Sequence, residues 1–135
     1  MGQMGMNVKS VLTLSLEASA NLTDYQWHGM KMNADGECTV CAAVTDVPIG
    51  ILTNKPAADG REAQVLVVGV CPVICGEDTM TYGDLLRIDG SGHALPWTPG
   101  TDTTTYVIGR ALTSGNTGEK ILAVINCGAN ARGSC

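Results

Sequence analysis

The sequence contains no phenylalanine and only five aromatic residues, two tryptophans and three tyrosines, in 135 positions. Aromatic side chains supply much of the packing energy of many cores, so their scarcity counts against helices packed on aromatic anchors. The chain instead has 17 glycines and is rich in threonine, residues that are typical of turns and strands respectively. We therefore predict an all-β protein with many short strands and tight turns.

Basic residues are also few, and they are scattered singly along the chain. Thirteen acidic residues against eight basic ones give a net charge of −5 at pH 7. A surface of this sign repels the phosphates of nucleic acids, and no stretch combines several lysines or arginines with aromatic side chains. We expect no nucleic-acid partner.

Long apolar runs are missing from the sequence. The longest, residues 65–75, is interrupted by Gly69 and Pro72 and is too short to cross a bilayer. Residues 1–7 lack the basic start and apolar run of a secretory signal, and Met6 stands where a myristoylation motif requires Ser or Thr. We expect no membrane partner.

Catalytic motifs are absent as well. The chain has no Gly-x-Ser-x-Gly elbow, phosphate-binding loop, His-Glu-x-x-His helix or dinucleotide fingerprint. Asp89, Ser91 and His93 are close in sequence, but a catalytic site built by one turn would be exposed and poorly oriented. We predict that the protein is not an enzyme, with no catalytic residues and no cofactor.

Six cysteines include two closely spaced pairs, Cys38 with Cys41 and Cys71 with Cys75. On a strand, residues three apart point to opposite faces, and residues four apart stand about 13 Å apart. Without an intervening turn, neither pair can bind one metal ion or close a disulfide. We predict buried free thiols, with disulfides or a metal site as the alternatives.

The remaining metal-binding side chains do not strengthen the metal alternative. His28 and His93 stand alone in different predicted loops, whereas a structural zinc site needs a second pair of ligands. Cys135 ends the chain and is predicted to be exposed. We predict no metal site.

The chain repeats itself. Three blocks recur in the same order, with offsets of 54, 59 and 56 positions: residues 29–36 as 83–90, residues 49–53 as 108–113, and residues 65–71 as 121–127. Differences in offset belong to loops. Each half, of roughly 55 residues, is too small to bury a sufficient core alone, so the repeat predicts one domain with internal pseudo-symmetry. In this alignment Cys71 and Cys127 are equivalent, which suits small apolar side chains in a core.

Local patterns favour strands. Leu12, Leu14 and Leu16 alternate with polar residues, a period of two that gives a strand one apolar face. A helix with Val8 and Val11 on its apolar side is the alternative for this segment. The Asp-Gly pairs in residues 33–36 and 89–92 predict hairpin turns. Residues 65–75 predict a strand buried on both faces, or two strands that meet at a bulge at Pro72.

These patterns define the predicted organisation. Residues 1–9 form an N-terminal arm, residues 10–127 a single β domain, and residues 128–135 a C-terminal tail. The two pseudo-repeats span about 12–70 and 66–127.

The order of these blocks resembles the capsid decoration proteins, or cement proteins, of tailed bacteriophages. The resemblance spans residues 10–127 and lies in repeated elements: a Gly-x-x-hydrophobic strand, an Asp-Gly hairpin, a Val-x-Ile-Gly-like strand, and a Val-rich strand. Its positions are residues 29–32, 35–36, 47–52, 59–60 and 65–70, then 83–86, 89–90, 107–112, 118–119 and 121–125.

The resemblance implies a small β-barrel or β-tulip-like fold that binds the outside of the phage head, having been made in the host cytoplasm. It implies a structural role as a virion protein, with the major capsid protein as partner and self-association as a homotrimer. In that role the protein bridges capsid subunits and stabilises their lattice, and many weak contacts add avidity. The six cysteines depart from what such proteins would be expected to contain.

Candidate interface residues follow from this picture. The arm can add a strand to a neighbouring sheet edge, with a frayed chain end as the alternative. Aromatic residues beside the repeated strands are candidate hot spots, although they can equally cap the barrel ends. Trp97, in a predicted loop at residues 93–105, is a candidate for either an interface or the core. The predicted interface residues are Met4, Met6, Val8, Lys9, Tyr25, Trp27, Tyr82 and Trp97.

Two other classes of function remain open. A carbohydrate-binding or host-attachment module on the same scaffold requires a row of exposed aromatic residues, which five aromatics make hard to supply. A small cysteine-dependent metal or redox protein requires bound metal or oxidised thiols.

Overall fold

The computed structural model describes residues 8–102 and 104–128. The predicted interface residues Met4 and Met6, most of the predicted arm and tail, and Cys135 lie outside these ranges. Within them no helix is long and apolar enough to span a membrane.

The described residues form nine β-strands and one short 3-10 helix, η1, at Thr23–Tyr25. The strands are β1 Lys9–Glu17, β2 Gly29–Met32, β3 Cys38–Val40, β4 Gly50–Leu52, β5 Glu62–Ile74, β6 Leu85–Ile88, β7 Ala94–Pro96, β8 Gly109–Ala111 and β9 Lys120–Asn126.

All nine strands belong to one antiparallel sheet that curls into a half-barrel. The strand order is β3-β2-β4-β5-β9-β8-β6-β7. Strand β1 is additional to this order and pairs with β5. The prediction of an all-β, small barrel-like domain is confirmed.

Two local predictions are also confirmed. The alternating leucines form strand β1 and not a helix, although β1 begins at Lys9, which was predicted to end the arm. The apolar run forms β5, one continuous strand of 13 residues in which Pro72 pairs with Leu122 without a register shift. A buried strand, and not a bulged pair, is therefore present.

The strand order is symmetrical about the β5–β9 pair. Met30 pairs with Gly50 of β4, and Leu86 pairs with Gly109 of β8 in the same way. Strand β5 is long because it serves both halves: β1 and β4 pair with its first part, and β9 with its second.

The structure corrects one of the sequence alignments between the two halves. Strand pairing equates Met30 with Leu86, 56 positions apart, so the match of Gly29 with Gly83 is two positions out. The reason is the turn chemistry, in which the equivalent residues are Asn33 and Asp89.

Asn33 Oδ1 accepts hydrogen bonds from the N–H groups two and four residues later, at 3.0 and 2.8 Å. Asp89 Oδ1 accepts from Ser91 and His93 in the same pattern, at 2.8 and 2.9 Å. Each hairpin turn is therefore built around the side chain that begins it, not around the Asp-Gly pair.

Cys71 and Cys127 both lie at the contact between β5 and β9. Cys71 pairs with Ala123 within the sheet, and the Cys127 N–H donates to the Val67 carbonyl oxygen just after β9 ends. Both thiols are buried.

The core consists of a larger and a smaller apolar cluster. The larger cluster draws on both halves and includes Ile51, Leu66, Leu86 and Ile125, all fully buried. The smaller cluster lies under the first half and includes Leu22, Met30, Leu52 and Val65. The larger cluster therefore packs the two halves against each other.

Candidate functional site

The predicted interface residues that the structure describes lie in four separate segments of the chain. Val8 and Lys9 are exposed; Lys9 begins β1 and Val8 precedes it. Tyr25 and Trp27 lie around η1 and are half-buried, Tyr82 lies in the turn before β6, and Trp97 follows β7.

Tyr25 and Trp27 pack against the core. Tyr25 contacts the smaller cluster and Trp27 the larger one. The Trp27 N–H donates to the Leu52 carbonyl at 2.7 Å, and the Trp27 carbonyl accepts from Ile74 at 3.3 Å. These bonds join η1 to β4 and β5, so both aromatic residues serve packing within the chain.

Tyr82 is the most exposed aromatic side chain, at 70%. Its N–H donates to Ser114 Oγ at 3.0 Å, and the carbonyl of Gly83 accepts from the Arg110 guanidinium at 2.7 Å. Tyr82 is thus an exposed aromatic side chain on a turn held by several hydrogen bonds, a combination suited to an interface.

Trp97 sits in a loop organised by Asp102. Its indole Nε1 donates to the Asp102 carbonyl at 2.9 Å, and the Thr98 N–H donates to Asp102 Oδ2 at 2.7 Å. The other carboxylate oxygen lies 3.4 Å from Nε of Arg87 on β6, and both side chains are only 16% exposed. Since β7 extends to Pro96, this loop is shorter than the predicted 93–105 segment.

The first half repeats this arrangement. Lys31 Nζ lies 2.9 Å from Asp46 Oδ2, which also accepts from the N–H groups of Ala42 and Ala43. Burial opposes ionisation of Asp46, but these partners outweigh it and lower the pKa of the carboxyl. Each ion pair joins a strand to the loop that follows the hairpin of that strand. The residues of the second pair lie 56 positions after those of the first. The sequence analysis did not predict either pair.

Sequence reasoning was also wrong about the two histidines, which meet across the halves. The ring centroids of His28 and His93 are 4.8 Å apart. The turn that carries His93 packs on the first half, where the Gly29 N–H donates to the Gly92 carbonyl at 2.8 Å. The two rings therefore lie at the contact between the hairpin of one half and β2 of the other.

Acid should destabilise the protein through His28. Burial lowers the pKa of this imidazole, its bond to the Gln26 carbonyl opposes the effect, and nearby His93 adds to it. Below about pH 6.5 the unfolded chain gains a proton that folded His28 resists, so stability falls as pH drops through this range. Urea unfolding at pH 8 and pH 5.5 checks this.

The matched variants are His28→Gln and His93→Gln. The pH dependence should be smaller in His28→Gln than in the wild type, and His93→Gln should reduce it partly. An unchanged slope in His28→Gln would assign the effect to another group.

A shallow cleft lies beside His93. It is lined by Cys75, Glu77, Asp89, Ser91, His93 and Thr117. Asp89 Oδ1 accepts hydrogen bonds from the backbone N–H groups of Ser91 and His93. Asp89 Oδ2 lies 3.6 Å from His93 Nδ1. Within the described chain, no group of three or more His, Cys, Asp or Glu side chains is arranged to hold a metal ion.

The five cysteines of the described residues are buried and free, as predicted. Burial raises the pKa of Cys38 to about 11 and that of Cys41, Cys71 and Cys127 to about 12, and it also raises the pKa of Cys75. Thiols with such values hold their protons at neutral pH and are poor nucleophiles.

Strand β1 exposes apolar side chains that sequence reasoning did not assign to an interface. Val11 is 80% exposed, Leu12 45% and Leu14 38%. Among the described strands β1 pairs only with β5, so its other edge is open. An open edge with apolar side chains is a template for strand pairing.

Comparison with protein-family models and with curated protein sequences found no match. Among solved structures, the fold is similar to that of the head fibre gp8.5 N base of bacteriophage phi29, with a TM-score of 0.62. The two share 21% sequence identity over 86% of this chain and 94% of that chain. This chain therefore has the fold of a phage head fibre base domain.

Proposed function

We propose that this protein is a structural component of a phage head that binds the outer surface of the capsid and stabilises the major-capsid lattice. The observation that carries the proposal is the similarity of fold to the phi29 head fibre base over 86% of the chain. The block order that resembles capsid decoration proteins supports it independently. The role requires binding and no catalysis.

The surface offers features suited to such binding. Tyr82 is exposed on a fixed turn, and the Trp97 loop is held in place by Asp102. A loop or turn that is already ordered loses little conformational entropy on binding, and repeated copies on a symmetric lattice add avidity. The proposed partner is the major capsid protein; the homotrimer stays an expectation of the resemblance.

The competing functions have less support. Of the five aromatic residues only Tyr82 is exposed, whereas a carbohydrate-binding face of this kind requires a row of them. The high pKa values of the buried thiols disfavour a redox role at neutral pH.

The purified protein should bind saturably to expanded heads of its parent phage that lack it, and should raise their disruption temperature. Co-sedimentation measures the binding, and light scattering during heating measures the disruption. We expect Tyr82→Ala to weaken binding about tenfold, the loss typical of a moderate interface hot spot.

Val47→Ala is the matched control, because Val47 is an exposed apolar residue of the first half, 49% exposed. It should leave binding unchanged. Absence of both binding and thermal protection with the wild-type protein would refute the proposal.

A further inference from the structure

We propose that β1 is a self-association strand, which pairs antiparallel with β1 of a second copy of this chain. The contact is independent of the capsid-binding role, since it requires only the purified protein.

Strand β1 is exposed along its whole length. Eight of its nine residues are exposed and Leu16 is half-buried, so both faces of the strand meet solvent. Among the described strands its second edge has no partner, which adds unpaired backbone groups to this apolar surface.

Strand β1 lies close against β5 at its N-terminal end. Gly69 of β5 faces Lys9 and Ser10, and a side-chain carbon at Gly69 would collide with the Lys9 carbonyl oxygen. The pairing is irregular between Ser10 and Thr13 but returns to the same register afterwards. Lys9 and Glu17 consequently remain on the same face of β1.

The charges of β1 favour a second copy of the same strand as its partner. Lys9 and Glu17 are the charged residues of β1 and stand at its two ends. Glu17 lies directly opposite Glu62 of β5, and none of the ion pairs among the described residues involves Lys9 or Glu17. One end of the strand thus carries two facing carboxylates, and the other an unpaired ammonium.

A second β1 complements this pattern. In an antiparallel pair centred on Thr13, each Lys9 lies opposite Glu17 of the other copy and relieves the Glu17–Glu62 repulsion at that end. The same register places Leu12 of each copy opposite Leu14 of the other, on the opposite face. Charge and apolar pairing therefore favour one register, which fixes a two-fold contact.

Charge reversal tests this contact. The mass from light scattering, over a range of concentrations at low salt, should approach twice 14.0 kDa. Lys9→Glu and Glu17→Lys should each raise the dissociation constant about tenfold or more, because either change creates two like-charge pairs. The double variant restores both pairs and should return the constant towards the wild-type value.

A cysteine at the symmetry centre tests the register. In a Cys135→Ser background, Thr13→Cys should form a disulfide-linked dimer under mild oxidation. Ser10→Cys, which this register places opposite Leu16, should cross-link far less. Circular dichroism confirms that each variant is folded.

A wild-type protein that stays monomeric at all concentrations would overturn the proposal. So would a trimer whose mass ignores the charge reversals, since a two-fold contact cannot close a ring of three. Failure of capsid binding alone would leave these masses unchanged and would bear on the proposed function only.

Discussion

Replacing Gly109 by alanine should lower the free energy of unfolding by about 3–5 kcal/mol, or prevent folding. Gly109 pairs with Ile125 and Leu86 in the middle of the second half. A Cβ atom at Gly109 would collide with the backbone carbonyl oxygen of Val124. Since a backbone oxygen in a paired strand cannot rotate away, β8 and β9 would have to separate.

The first half provides a second test of the same physics. Gly50 is the counterpart of Gly109, and a Cβ atom there would collide with the Leu66 carbonyl oxygen. Gly50→Ala should therefore be similarly destabilising. Gly90→Ala is the control, because its nearest neighbour, the Ala42 carbonyl oxygen, would lie at 3.4 Å.

Urea unfolding followed by circular dichroism measures all three variants. The control should change stability by less than about 1 kcal/mol. If Gly109→Ala were as stable as Gly90→Ala, the close approach of β8 to β9 would not constrain the fold.

The two glycines belong to the part of the fold that the sequence pattern predicted correctly. The Ile-Gly match between residues 49–50 and 108–109 marked a repeated strand correctly, because the close approach at each glycine is local to that strand pair. Pattern alone also placed β1 and β5, since period-two alternation and a continuous apolar run have direct geometric consequences. The register of the turns was misjudged because Asn33 and Asp89 differ in residue type while performing the same hydrogen bonding.

The site was less predictable, because its contacts join residues far apart in the chain. His28 and His93 meet only because the hairpin of one half packs on the other half. Tyr25 and Trp27 were predicted to lie at an interface because they are aromatic residues beside a repeated strand. In the structure, packing against the core buries much of both side chains. The apolar face of Leu12 and Leu14 was visible as a pattern, but no pattern reveals that the rest of the chain leaves it uncovered.

The repeated ion pairs were, by contrast, open to detection. Lys31 and Asp46 return as Arg87 and Asp102, each 56 positions later. Aligning the halves by charged residues, and not by glycine, finds this match. In the second half, Arg87 takes the place of the lysine in this ion pair.

Asp102→Ala should lower the free energy of unfolding by about 2–4 kcal/mol, more than Asp46→Ala, for which we expect about 1 kcal/mol. The Arg87 and Asp102 side chains are each 16% exposed, whereas those of Lys31 and Asp46 are 27% and 20% exposed. Arg87 Nε is buried and lacks a hydrogen bond within the described residues. Removing the carboxylate therefore leaves a buried guanidinium without its counter-ion, a larger cost than freeing a lysine that can reach water.

Urea unfolding of the two variants, and of Asp102→Asn, separates charge from hydrogen bonding. Asp102→Asn keeps an acceptor for the Thr98 N–H but loses the charge, so its stability should fall between those of the wild type and Asp102→Ala. In a Trp27→Phe background, Asp102→Ala should also shift the emission of Trp97 to longer wavelength, because the loop that shields the indole loosens. Equal losses for Asp46→Ala and Asp102→Ala would mean that burial does not distinguish the two pairs. In that case the loop of Trp97 would be held by its backbone turn alone, and its preorganisation for an interface would not depend on β6.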